Sequence, residues 1–358
     1  MAGDARPVRA GEQLEWPRVA AYLRDHLSAS AIPGLDLSRE PLVEQFPGGH
    51  SNLTYLLRYG DVELVLRRPP LGPLPPTAHD MAREHRWLHA IHPLFPLAPR
   101  TYLLCEDAAV AGAPFYVMER RRGLVVRTDE PPQLAEHPAE RRRVSRALIE
   151  TLADLHAIEI ERNGLAGMGK PAGFVARQVR GWTERWYRSK TDELPEMEAL
   201  AAWLPAHLPP NADPPAIVHG DFKLDNVMLD PAEVGRLVAV FDWEMTALGD
   251  PLVDLGIFLA YWSHGTRLEP HDALASVTDR DGWFSRDEVI ECYAARSGRD
   301  LSRLAFYESF ALFKVAVVIQ QIYFRYQRGQ THDQRFAQFD VRVRHLARQA
   351  AKSANVQP

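Results

Sequence analysis

Two polar clusters borne on short apolar runs constrain this chain more than any other feature of its sequence. Ile217-Val-His-Gly-Asp-Phe-Lys-Leu-Asp-Asn226 is followed by Val240-Phe-Asp-Trp-Glu244, with Asp242 sixteen residues after Asn226. The apolar runs Ala216 to Val218 and Val227 to Leu229 read as short strands on either side of the first cluster, and Leu237 to Phe241 as a third. Asp221 then lies in a loop between strands, where a carboxylate can stay exposed. Asn226, five residues on, is close enough to face the same point, and Asp242 emerges at a strand tip. An Asn carbonyl and an Asp carboxylate are hard oxygen ligands suited to Mg²⁺, which is usually held by few protein groups plus substrate phosphates. One further carboxylate is left to accept a proton from a hydroxyl.

The rest of the chain changes texture part-way. Trp16 to Leu27 reads as a short amphipathic helix, with Trp16, Val19, Leu23 and Leu27 on one stripe. Strand-like runs follow at Pro41 to Phe46, Leu53 to Arg58 and Val62 to Arg67, and the adjacent Gly48 and Gly49 permit a tight turn between the first two. Pro69 to Pro76 can be neither helix nor central strand. A helix is expected from His79 to Ala90, then strands at Tyr102 to Glu106 and Phe115 to Glu119. Beyond Gly123 the periodicity turns helical, over Ala139 to Ile160, Gln178 to Leu204 and Ala305 to Gln327. The expectation is an α+β chain in two lobes. Residues 1–119 form a small five-stranded antiparallel lobe with one inserted helix and an N-terminal helix. Residues 120–358 form a larger, mainly helical lobe.

Composition narrows the function. Net charge is 42 − 47 = −5, without the basic balance of a nucleic-acid-binding body. Two cysteines are too few for a disulfide framework and fit a reducing compartment. The polar start lacks the apolar core of a signal peptide, and Phe310 to Tyr323, interrupted by Lys314, Gln320 and Gln321, is too short and polar to span a bilayer. A cytoplasmic protein with no membrane partner is expected. Lysines occur only at 170, 190, 223, 314 and 352, so any cation needed in the first half must be an arginine.

The pattern of Asp221, Asn226 and Asp242 resembles the catalytic loop and metal-binding motif of the kinase-like phosphotransferases. His-Gly-Asp in place of His-Arg-Asp is similar to the aminoglycoside phosphotransferase and choline kinase branch. The resemblance implies a protein kinase-like fold, ATP and Mg²⁺ as cofactors, and a nucleotide and a small-molecule hydroxyl as partners. It makes Asp221 the catalytic base, Asn226 and Asp242 the metal ligands, and Lys223 a contact to the transferring phosphate. Arg67 stands where the family has a lysine on its third strand, with Glu84 as its helix partner and Arg68 next door as its competitor. Arginine keeps the charge and offers a bidentate fork, with a different geometry. Gly49, Ser51 and Asn52 lie where the family covers the nucleotide phosphates, and Glu119 where backbone groups meet adenine. Asp254 resembles an aspartate that holds the catalytic loop.

Longer runs (GGHSNLTYLL, ELVLRRPPLG, FYVMERRRG and VFDWEMTALGDPLVDLG) look like the kinase-like domain fused to some mitochondrial acyl-CoA dehydrogenases and its free-standing bacterial relatives. That resemblance implies a hydroxyacyl-CoA acceptor. An antibiotic phosphotransferase and a catalytically silent nucleotide- or CoA-ester-binding protein are the alternatives. Seven cations against two acids between Arg325 and Lys352 offer a surface that attracts the phosphates of CoA, whereas Asp192, Glu193, Glu196 and Glu198 could serve a cationic substrate. Arg180, Trp182, Arg185, Trp186 and Tyr187 are candidate acceptor-pocket residues. His85, His89 and His92 recur at helical spacing without the carboxylates or cysteines of a zinc site, and His156 reads as a buried packing residue.

Overall fold

Tyr59 pairs with Val62 across the two-residue turn Gly60-Asp61, where Gly60 takes φ +63°, and this hairpin lies within the first sheet. In the computed structural model, which describes residues 4–47, 52–71, 79–262, 276–331 and 333–356, the strands are β1 (Leu42–Gln45), β2 (Leu53–Tyr59), β3 (Val62–Arg68), β4 (Thr101–Cys105) and β5 (Phe115–Glu119). They pair antiparallel in the order β1-β2-β3-β5-β4. Gly49 and Ser51 lie outside the described residues. The chain forms two units, Met1–Gly123 with Val238–Glu244, and Leu124–Leu237 with Met245–Pro358.

In the first unit, helix α1 (Trp16–His26) lays Val19 and Leu23 on one face of the sheet, against Tyr55, Leu57, Leu64, Leu66, Phe115 and Val117. Successive strand residues point to opposite faces, so Leu56, Val65, Arg67, Tyr116 and Met118 take the other side. Helix α2 (Met81–Ile91) packs beside β4 and β5; Asp80 caps it, its carboxylate accepting from the Arg83 N–H at 2.9 Å. A four-residue helix, α3 (Ala108–Ala111), interrupts the β4–β5 connection and ends at Gly112, φ +79°. It is a second inserted helix beside the one expected over His79 to Ala90, which is α2.

The second unit is built on helices. In chain order they are α4 (Pro132–Ala135), α5 (Pro138–His156), α6 (Phe174–Ser189), α7 (Pro195–Ala206), α8 (Leu252–Tyr261), α9 (Arg286–Ser297), α10 (Leu304–Gln327) and α11 (Phe339–Ser353). The single helix expected over Gln178 to Leu204 is two. Proline disfavours a helical residue before it, Leu194 is extended accordingly, and Pro195 then starts α7 at a position where a missing N–H costs nothing. Helix α5 stops at His156, four residues short of the expected end. Helix α10 is the spine, buried on most of its length by α6, α8 and α11. Among the described residues it is the helix long and apolar enough to cross a membrane, and that apolar surface is core.

Short strands carry the polar clusters. They are β6 (Ala216–Val218), β7 (Val227–Leu229), β8 (Leu237–Val240) and a fourth, unexpected strand, β9 (Ala247–Gly249), which pairs antiparallel with β6.

Candidate active site

Strand β6 delivers the chain into His219-Gly220-Asp221, and a buried carboxylate fixes that turn. On α8, Asp254 accepts the His219 N–H on Oδ2 at 2.6 Å and the Gly220 N–H on Oδ1 at 2.7 Å. His156 Nε2 lies 3.2 Å from Asp254 Oδ2, and its Nδ1 2.7 Å from the Tyr293 hydroxyl. Burial pushes the Asp254 carboxyl up, but the hydrogen bond and charge of His156 and the Gly220 N–H outweigh it, leaving the carboxyl below its ordinary range. Asp254 thus holds the loop backbone, as the sequence led us to expect, and His156 is a hydrogen-bonded core residue that supports it. Gly220 has φ +85°, and a Cβ there would stand 2.7 Å from Met245 Cβ, so a side chain is excluded both by the backbone and by space.

The Asp221 carboxylate gathers the neighbouring candidates. Lys223 Nζ donates to Asp221 Oδ2 at 2.6 Å, and Asn226 Nδ2 donates to the same oxygen and to the Asp221 carbonyl, each at 2.9 Å. Lys223 also lies 4.8 Å over the Tyr261 ring. Burial works against the lysine charge, and Tyr261 and Asp221 more than offset it, so its pKa is raised. Because the Asn226 amide nitrogen is spent on Asp221, its carbonyl oxygen is the atom left for a cation. Lys223 and Asp225 also line a cavity of about 280 Å³ whose walls include Arg127, Phe258, Tyr261 and Trp262.

In the first unit Arg67 is the centre of a second cluster. Its Nε donates to Glu84 Oε2 at 3.2 Å and its Nη2 to Asp242 Oδ1 at 2.8 Å. Burial opposes the guanidinium charge, and Glu84 and Asp242 hold it on; burial also pushes the Glu84 carboxyl up, to about 7. Strand alternation separates the two arginines. Arg68 points to the α1 face, where it donates to the carbonyls of Pro69 and Ala111 at 3.0 and 2.5 Å and meets no acid among the described residues. Asp242 takes φ +66°, which costs a non-glycine residue energy and turns its carboxylate back toward Arg67. Glu244 accepts from Asn52 Nδ2 at 3.1 Å, and its carbonyl from Arg83 at 2.6 Å. Asn52 Oδ1 is buried with no hydrogen-bond partner among the described residues, an acceptor placed for a donor from elsewhere. Glu119 has its N–H on the Arg100 carbonyl at 2.8 Å and its carboxylate on the Arg100 N–H and on Arg121. Of its two backbone groups the N–H is thereby spent, and the carbonyl has no such partner among the described residues.

The model of the phosphotransferase enzyme family, APH, matches residues 42–289, which include both clusters. This chain belongs to that phosphotransferase family. It is 36% identical over 91% of its length to acyl-CoA dehydrogenase family member 11 of Homo sapiens, and 33% identical over 91% to family member 10 of Mus musculus. It spans 41% and 30% of those two relatives' lengths. Among solved structures, a candidate aminoglycoside phosphotransferase from Ralstonia eutropha superposes with a TM-score of 0.79 at 30% identity, covering 96% of this chain and 99% of that one. Macrolide 2'-phosphotransferase type I (TM-score 0.57, 19% identity, 91% and 96% covered) shares the fold. So does the APH(4)-Ia enzyme captured with ADP and hygromycin B (0.56, 15%, 87% and 94%).

For this phosphotransferase-family chain the structure revises several sequence readings. Trp186 is fully buried and donates to Glu198 at 3.2 Å, so it is core and lines no pocket. The two opposed charge runs face each other: Arg344 pairs with Asp192 at 3.6 Å and Arg348 with Glu196 at 3.7 Å, while Arg335 turns to Asp333. Two of the seven cations between Arg325 and Lys352 are thereby directed at the acidic run. His85 and His89 stack at 5.9 Å, burial pushes His85 down to about 4, and His92 bonds the Ala98 carbonyl. Among the described residues no group of three or more His, Cys, Asp or Glu side chains converges as a metal site. Sequence reasoning missed Lys314, Glu244 and Arg83. The last two flank motifs and were within reach; the partner of Lys314 is a backbone carbonyl, which leaves no trace in a sequence.

Proposed function

We propose that this chain is an ATP- and Mg²⁺-dependent small-molecule kinase that moves the γ-phosphate of ATP to a hydroxyl. The observation that carries the reading is the state of Asp221: a carboxylate in a loop fixed by Asp254, with one oxygen held by Lys223 and Asn226 and the other left for a proton. Asp221 is assigned as the base that takes the acceptor's proton, and Lys223 as the cation that meets the transferring phosphate. Arg67, held by Glu84, orients the nucleotide phosphates, with Gly49, Ser51 and Asn52 covering them and the Glu119 carbonyl meeting the adenine.

The donor chemistry fits magnesium. Asn226 retains a carbonyl oxygen and Asp242 one carboxylate oxygen beyond the one on Arg67, both hard ligands. A bound Mg²⁺ would neutralise charge on the ATP phosphates. The chain's own residues position and stabilise, which is most of what phosphoryl transfer requires.

For the acceptor we propose a hydroxylated acyl thioester, since relatives matching nine-tenths of the chain are named acyl-CoA dehydrogenases. Antibiotic phosphorylation is the second reading, favoured by the fold neighbours. The test is Mg²⁺-dependent ADP release against hydroxyacyl-CoAs, free hydroxy acids, choline, homoserine, aminoglycosides and macrolides. The variant Asp221→Asn should keep ATP binding and lose about 10²–10⁴-fold in turnover. Near-normal turnover in that variant would remove Asp221 from its role, and stimulation by an antibiotic alone would replace the thioester.

A further inference from the structure

Lys314 lies midway along α10 and is only 6% exposed, among Phe310, Phe313, Val315 and Val317 of the core. A lysine in such a place gives up the hydration of its ammonium, and packing alone would be met by leucine or methionine. Its Nζ donates to the Gly220 carbonyl at 2.6 Å, stands 3.9 Å from Met245 Sδ and lies 5.4 Å over the Trp182 ring. These partners are a carbonyl, a thioether and a ring rather than a carboxylate, so the group is not there as half of a salt bridge.

What the ammonium touches is the peptide that leads into Asp221. Asp254 fixes the N–H groups of His219 and Gly220, and Met245 fills the space where Gly220 has no side chain. The Gly220–Asp221 peptide plane is then held on both edges: its N–H donates to His219 Nδ1 at 3.3 Å, a long bond, and its carbonyl accepts from Lys314 at 2.6 Å, the shorter and charge-assisted grip. We propose that Lys314 is a positioning residue for Asp221, pinning that peptide plane and so setting the direction of the carboxylate. The inference rests on the reading of Asp221 as the base. Burial pushes the Lys314 amine down to about 8; Asp221 and Asp254 hold its proton on, while Lys223 and Arg185 push it off. The charge-assisted grip on Gly220 therefore weakens above about pH 8.

The test compares wild type, Lys314→Met, Lys314→Arg and Asp221→Asn by ADP release from MgATP with water as acceptor. ATP affinity, Tm and amide exchange of the 216–229 segment are measured alongside. Lys314→Met should lose at least about tenfold in turnover with ATP affinity changed less than about twofold. Its Tm should change by only a few degrees, because removal of a desolvated charge offsets the cost of the orphaned Gly220 carbonyl. Exchange of the segment should quicken by at least about tenfold. Lys314→Arg, always charged, should restore part of the turnover and abolish the fall above about pH 8. Wild-type turnover in Lys314→Met with Asp221→Asn inactive would overturn this inference and leave the base in place. Turnover retained in Asp221→Asn would overturn the base itself. Unchanged exchange of the segment in Lys314→Met, or a drop in Tm together with lost ATP binding, would reduce Lys314 to a packing residue.

Discussion

Replacing Asp254 should separate the support of the loop from its chemistry. The carboxylate satisfies two buried N–H groups and touches the His156 imidazole. Asp254→Ala leaves both N–H groups unpaired, at about 1–3 kcal/mol each, so the loss should be about 2–6 kcal/mol. At roughly 2–4 °C per kcal/mol for a unit of this size, Tm should fall by roughly 5–20 °C. Asp254→Asn should do less damage. Its carbonyl oxygen can take the Oδ2 position, which serves His219 and faces His156, so that only the Gly220 N–H is lost, for about 1–3 kcal/mol. Turnover should fall in both variants, since a displacement of about 1 Å at the loop can cost 10²-fold. The pH dependence has a defined sign. The folded carboxyl is held below the unfolded value of 3.8, so its contribution is fully present above that value and is lost as pH falls through the lower folded pKa. The stability gap between wild type and Asp254→Asn, measured by urea unfolding, should be flat near neutrality and shrink below about pH 4. Equal stabilities at pH 7, or a gap that widens on acidification, would refute the account.

Other outcomes follow from the same geometry. Arg67→Ala should weaken ATP binding by about tenfold or more, because it removes the cation held between Glu84 and Asp242, at about 1.4 kcal/mol per factor of ten. Arg68→Ala should leave ATP binding near normal and cost about 2–6 kcal/mol of stability, at about 1–3 for each of its two orphaned carbonyls; equal ATP affinities in titration would show that the wrong arginine is assigned. Gly220→Ala forces a side chain to φ +85° and against Met245, and should cost roughly 2–5 kcal/mol from left-handed strain and overpacking. An unchanged urea midpoint would remove that argument.

Much of this was legible in the sequence because it is local. The five strands of the first sheet, the helix bearing Glu84 and the Asp221–Asn226 spacing all follow from alternation, helical period or short offsets. Side-chain alternation could also separate Arg67 from Arg68, once the face bearing α2 is known. What escaped is non-local or built from backbone. Strand β9 is three residues long and exists only by pairing with β6, thirty residues away. The grip of Lys314 on Gly220 joins a side chain to a carbonyl 94 positions distant. The acidic run at 192–198 and the basic stretch from Arg325 to Lys352 each suggested a ligand when read singly, and the fold sets two pairs of those charges against one another. The break between α6 and α7 was signalled by Pro195 and overridden by the apolar period on either side.

Arg67 has a practical consequence beyond its electrostatics. The sequence of the first unit contains no lysine, and the group set between Glu84 and Asp242 is a guanidinium that neither acylates nor forms an imine under mild conditions. Nucleotide analogues that mark enzymes by acylating a phosphate-side amine should pass over this unit and report, if anything, on Lys223 in the other. An activity-based screen built on such reagents would therefore undercount proteins of this design, whereas arginine-directed dicarbonyls, with ATP as the protectant, should find them.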